Sequence, residues 1–173
     1  MSSAAPGAHT GLHMDGHAEV WVAVEPEVVY DAIVGLRRMG GWSPENRGGE
    51  WRTGVPGTVG ATFTSRNEGP DGGWDTTCTV VDAVRPDRFA FCVYPPGAVG
   101  TTWRYTLTRE RGGTRLTEAF VWDWTAEPDE GFRGRVGRMP LDLATAVVAG
   151  REQELRAAIR VTLDALRVGL EGG

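Results

Sequence analysis

Acid–base chemistry in this chain can rest on few side chains. Its histidines, His9, His13 and His17, all lie at the start, ahead of any regular apolar pattern. The commonest general base is therefore missing from the patterned region. Their spacing of four would align them as ligands on a helix, but Gly11 and Gly16 make that helix poor. A solvated tail is expected, with no metal and no cofactor. Cys78 and Cys92 have no histidine partner to activate them and read as reduced, unpaired thiols. No Gly-x-Ser-x-Gly, His-Glu-x-x-His or Gly-x-Gly-x-x-Gly motif occurs, which argues against hydrolase, zinc protease and dinucleotide readings. There is no lysine, so Schiff-base and P-loop chemistries are out.

What remains is a carboxylate in apolar company. Gly112-Gly113 reads as a two-residue hairpin turn between strands 101–111 and 114–124. That turn sets Arg109 opposite Leu116, Leu107 opposite Glu118, Tyr105 opposite Phe120 and Trp103 opposite Trp122. All eight then share one face, because side chains alternate. The other face carries Arg104, Thr106, Thr108, Arg115 and Thr117 and suits solvent. Glu118 on the covered face would have a raised pKa and could move protons, with Tyr105 orienting a carbonyl. A diagonal ion pair with Arg109 is the competing structural role. A second turn at Pro86-Asp87 sets Val84 opposite Phe89, Asp82 opposite Phe91 and Val80 opposite Val93. Asp82 and Cys78 then face the covered side, and Cys92 the other. Asn67 and Thr76 are further covered polar groups. The expected ligand-pocket lining is Trp42, Phe63, Asn67, Thr76, Cys78, Phe91, Trp103, Tyr105, Phe120 and Trp122.

The elements that must hold these residues are legible from periodicity. Val20, Val22 and Val24 alternate as a strand. Pro26 opens a short helix ending at Gly35, and Leu36–Met39 forms another before Gly40-Gly41. Strands follow near 50–53, 61–67, 74–84 and 89–94, then the 101–124 hairpin. Residues 125–144 read as a mixed loop. From about Thr145, apolar residues recur every three to four positions to Leu170, one long helix. The chain is 173 residues with a formal net charge of −5, enough for one domain and ill-suited to nucleic acid. Residues 1–16 are expected to be a disordered tail, 17–171 a single domain. No apolar run approaches the ~20 residues of a span and no secretory pattern opens the chain, so a cytoplasmic location is expected.

A sheet with one aromatic face needs a cover. One helix, ~10–12 Å wide, is narrower than six or seven strands. The sheet must curl around it, and a space can remain between them.

This order of elements resembles the START-like or SRPBCC superfamily, and most nearly its polyketide cyclase/dehydrase branch. The resemblance rests on Pro26-Glu27-Val28-Val29-Tyr30, Trp42-Ser43-Pro44-Glu45, Arg88-Phe89-Ala90-Phe91, Gly113-Thr114-Arg115-Leu116-Thr117-Glu118 and Ile159-Arg160-Val161-Thr162-Leu163-Asp164-Ala165-Leu166. It implies an α+β helix-grip fold, a seven-stranded antiparallel sheet around the terminal helix, with a deep apolar pocket for lipids, polyketides or similar molecules. It implies no single activity, since relatives include cyclases and mere binders. Two functions follow as expectations. One is a polyketide cyclase/dehydrase-like enzyme, with Glu118 and Tyr105 catalytic. The other is a non-catalytic carrier of a hydrophobic small molecule.

Overall fold

The computed structural model describes residues 9–94, 100–125 and 131–173. Seven strands form one antiparallel sheet in the order β1-β7-β6-β5-β4-β3-β2. The strands are β1 (His13–Val22), β2 (Asn46–Thr53), β3 (Thr62–Gly69), β4 (Gly72–Val84), β5 (Arg88–Val93), β6 (Thr102–Glu110) and β7 (Gly113–Asp123). The helices are α1 (Pro26–Val34), α2 (Leu36–Met39), α3 (Gly131–Gly137) and α4 (Leu141–Glu171). From β2 to β7 each strand lies beside the next in sequence, and only β1 is set apart, at the far edge beside the last strand. The helix-grip architecture is the observed one. α3 forms where a loop was expected, and α4 begins at Leu141, four residues early.

The first strand also starts early, at His13 rather than near His17. Its inner face is Met14, Gly16, Ala18, Val20 and Val22, opposite Trp122, Phe120, Glu118, Leu116 and Thr114. Gly16 reads as a breaker in sequence. In the fold it is glycine because a Cβ there would lie 2.6 Å from the Phe120 ring. Met14 and His9 are both buried, and His9 bonds through Nε2 to the Met139 carbonyl at 3.0 Å. Residues 9–16 are thus part of the packed domain, which corrects the expectation of a solvated tail over that stretch. Residues 1–8 lie outside the described residues.

The β6–β7 register differs by two from the expected one. Glu110 pairs with Gly113, Leu107 with Leu116, Tyr105 with Glu118 and Trp103 with Phe120. The turn residues are Arg111 and Gly112, both with positive φ, 53° and 74°. That is the pairing the favoured two-residue hairpin requires. Gly113 is glycine for another reason: a Cβ would meet the Val22 carbonyl at 2.3 Å and the Trp21 ring at 2.9 Å. The shift is even, so the residues keep their faces and only their partners change.

In β4–β5 a bulge between Val80 and Asp82 changes more. Val80 pairs with Phe91 and Cys78 with Val93, while Ala83 pairs with Phe89. Past the bulge Asp82 turns outward, where its carboxylate meets Arg88 at 3.0 Å and Arg104 at 3.2 Å. The expectation that Asp82 lies on the covered face is corrected.

The covered face divides into two apolar clusters. One joins α1, α2 and the end of α4 to the sheet centre through Tyr30, Ile33, Phe63, Phe89, Tyr105, Leu163 and Leu166. The other joins the first half of α4 and Val136 of α3 to Met14, Phe120 and Trp122.

Candidate functional site

Tyr105 and Glu118 meet directly across the β6–β7 ladder, near the middle of both strands. The Tyr105 hydroxyl donates to Glu118 Oε1 at 2.9 Å. Their relative exposures are 2% and 3%. Glu118 Oε2 has no hydrogen-bond partner. Burial pushes the Glu118 carboxyl up to about 7, against the opposing pull of the Tyr105 hydrogen bond. Burial also drives the phenol well above its ordinary value, with the neighbouring carboxylate adding to the effect. Glu118 is thus a carboxyl held between its two protonation states near neutrality, the condition a proton-transfer group needs.

The expected partner of Glu118 does not reach it. Arg109 points to the surface and pairs with Glu25 and with Glu27 of α1. The two-residue register difference explains the exchange, since it sets Tyr105 rather than Leu107 opposite Glu118.

Beside Tyr105 lies a small internal space under α1 and α2. Ile33, Leu36 and Met39 line it from the helices, Phe63, Phe89, Phe91 and Tyr105 from the sheet. It offers about 10 Å³ to a water-sized sphere, room for one water. Of the rings that line it, Phe63 packs edge to face on Phe91 at 5.1 Å, and Phe89 packs edge to face on Tyr30 at 6.2 Å. At one end the lining turns polar. Asn46 donates to Ser65 Oγ at 2.6 Å, and Asn67 donates to Thr76 Oγ1 at 3.3 Å. Thr76 Oγ1 lies 3.8 Å from Cys78 Sγ. Both cysteines are free, and burial raises the Cys78 thiol to about 12, which leaves it inert as a nucleophile.

Of the residues expected to line a pocket, Phe63, Phe91 and Tyr105 border this space, with Cys78, Asn67 and Thr76 close by on β3 and β4. Trp42 packs instead by its indole against Gly169 near the end of α4. Trp103, Phe120 and Trp122 belong to the other cluster: Trp103 packs on Phe120 at 5.4 Å, and Trp122 on Phe132 at 5.8 Å. The expected wall of Trp103, Tyr105, Phe120 and Trp122 is therefore divided between two packed regions. Ile33, Leu36, Met39, Asn46, Ser65 and Phe89 were not anticipated as lining. The alternation of Phe89 with Phe91 was the one available sign. Among the described residues no three histidine, cysteine, aspartate or glutamate side chains gather as a metal-binding set.

A family model described as polyketide cyclase / dehydrase and lipid transport matches residues 15–166. Among solved structures, the polyketide cyclase-like protein of Corynebacterium glutamicum is 25% identical, with a TM-score of 0.65 over 94% of this chain and 97% of that one. The di-domain ARO/CYC protein StfQ of the steffimycin biosynthetic pathway is 19% identical, with a TM-score of 0.63. That match covers 91% of this chain and 50% of StfQ. The AHSA1-like protein of Aeromonas hydrophila is 21% identical, with a TM-score of 0.56 over 92% of this chain and 94% of that one. No curated protein gives a significant sequence match.

Proposed function

From the premise that the chain belongs to the polyketide cyclase/dehydrase and lipid transport family, we propose that it binds an apolar small molecule between the sheet and the helices. The site is the space under α1 and α2, and the Tyr105–Glu118 pair supplies its chemistry. One observation carries the reading: a fully buried carboxyl near neutral pKa, with one oxygen unpartnered and the other held by Tyr105, which itself lines an apolar space. A buried polar atom left unsatisfied costs about 1–3 kcal/mol, and a site that uses the atom offsets that cost elsewhere.

As an enzyme it would act on a poly-β-keto or related precursor. Glu118 Oε2 would take the proton from a carbon between two carbonyls. The Tyr105 hydroxyl would then be free to turn from Oε1 toward the enolate oxygen as Glu118 becomes protonated. A carbon acid of this kind needs only modest help, so orientation and one base suffice. The ligand must open the space, because as it stands it has room for no more than one water. Ile33, Leu36 and Met39 sit on α1 and α2, so opening the space means shifting these two helices on the sheet.

The second reading is a carrier without chemistry, favoured by the closed Tyr105–Glu118 hydrogen bond, which occupies the phenol and one carboxyl oxygen. A panel of apolar ligands, followed by turnover of any that bind, tests both. Under the enzyme reading Glu118→Gln removes turnover while leaving affinity within about threefold. A parent protein that binds and never converts a poly-β-keto ligand sinks the enzyme reading and leaves the carrier.

A further inference from the structure

The largest fully buried side chain of the described protein is Arg133, on α3, with a relative exposure of 1%. Its Nη1 donates to the carbonyls of Asp123 at 2.7 Å and Thr125 at 3.2 Å, which ties α3 to the end of β7. Nε and Nη2 have no hydrogen-bond partner. The structural role therefore engages one nitrogen of three. A guanidinium does not shed its charge on burial as a lysine can, so an idle buried edge is costly.

The surroundings limit what can fill that edge. The Trp122 ring covers the guanidinium face at 4.8 Å, and Trp124 flanks it at 5.9 Å. Phe132 packs on the same Trp122. Asp123, at the end of β7, turns its carboxylate outward to His13 at 2.7 Å, and the acids nearer in sequence, Glu127, Asp129 and Glu130, lie outside the described residues. Among the described residues no carboxylate pairs with Arg133. With a ring over the guanidinium face, a partner must approach in the guanidinium plane along Nε and Nη2. This is the edge on which Arg85 holds Asp31, at 2.8 Å from each nitrogen, and on which Arg115 holds Glu110, at 2.6 and 2.9 Å. A planar carboxylate takes both donors at once.

We propose that Arg133, with Trp122 and Trp124, forms a binding site for the carboxylate of an apolar acid. The site goes beyond the ligand space beside Tyr105. It lies in the other apolar cluster, and stands whether or not that space is used. The indoles and Phe132 receive the acid's hydrocarbon, and the guanidinium edge receives its two oxygens.

The test is calorimetric titration of the full chain with octanoate, acetate, 1-octanol and inorganic phosphate. One saturable octanoate site is expected, with octanol and phosphate at least tenfold weaker. Acetate should also bind at least tenfold more weakly than octanoate, because it offers the indoles and Phe132 no hydrocarbon; acetate as tight as octanoate would overturn an apolar-acid site. Arg133→Lys keeps the charge but loses the two-donor edge, so octanoate should weaken at least tenfold. If that variant does not fold, the Arg133 Nε–H resonance of the parent decides, since octanoate must move it. No saturable octanoate binding, equal binding of octanol or phosphate, or an unmoved Nε–H signal would overturn the proposal. The first of these would also be the result if a carboxylate of the chain itself filled the edge.

Discussion

Replacing Glu118 by glutamine should change how stability depends on pH, and by a calculable amount. The carboxyl rises from 4.5 to about 7 on folding because burial disfavours its charge. Between those values the folded protein binds the proton and the unfolded chain does not. Stability from this group is thus fully present below about pH 4.5 and is lost as pH rises through about 7. Each tenfold change in proton affinity is about 1.4 kcal/mol, so the whole effect is about 3 kcal/mol, most of it between pH 5 and 8. Glutamine cannot ionise and removes this slope. It also changes the hydrogen bond to Tyr105, but that offset is the same at every pH. Urea unfolding of both proteins at pH 5, 6, 7 and 8 reads the difference. The gap between parent and variant should move by roughly 2–3 kcal/mol in favour of glutamine toward pH 8. His13 and the surface ion pairs titrate alike in both proteins and cancel. Parallel curves would refute the reasoning, because they would mean that Glu118 does not change its protonation over this range.

Three further outcomes test the architecture around the site. Arg111→Gly should raise stability by about 0.5–1 kcal/mol in thermal melts, since Arg111 occupies a left-handed conformation, whereas Gly113→Ala should cost about 1–3 kcal/mol through its clash with Val22 and Trp21. His9→Ala should cost about 1–2 kcal/mol, from the lost bond to Met139 and the ring contact with Trp124 at 5.0 Å; an unchanged melting temperature would mean that residues 9–12 do not dock. Alkylation of the native protein followed by mass spectrometry should label Cys92 well before the buried Cys78, with Cys78 labelled fully once the protein is unfolded; equal rates would contradict the burial of Cys78.

The sheet, its hairpins and the long helix were legible because period-two and period-3.6 apolar patterns survive without any knowledge of neighbours. The face assignments of β6 and β7 survived a wrong register, because the error was of two residues. Partners did not survive it. Glu118 was recognised as the buried acid, yet its link to Tyr105 was hidden by reading Gly112-Gly113, not Arg111-Gly112, as the turn. A glycine required by close approach looks in sequence like a glycine required by a turn, and Gly16 misled in the same way at the start of β1. The bulge at Val81 left no sequence sign, so Asp82 was assigned to the wrong face. Nothing in the sequence marks Arg133, because its burial depends on indoles that β7 brings to it.

The most direct test of the ligand-binding account is a fluorescence titration with the neutral apolar dye N-phenyl-1-naphthylamine, in the parent and in Leu36→Trp. Leu36 borders the space beside Tyr105, and a larger side chain there fills it. The account predicts saturable binding to the parent, with one dye per chain, and at least tenfold weaker binding to a Leu36→Trp protein of unchanged circular dichroism. No saturable binding to the parent, or equal binding to both, would contradict it.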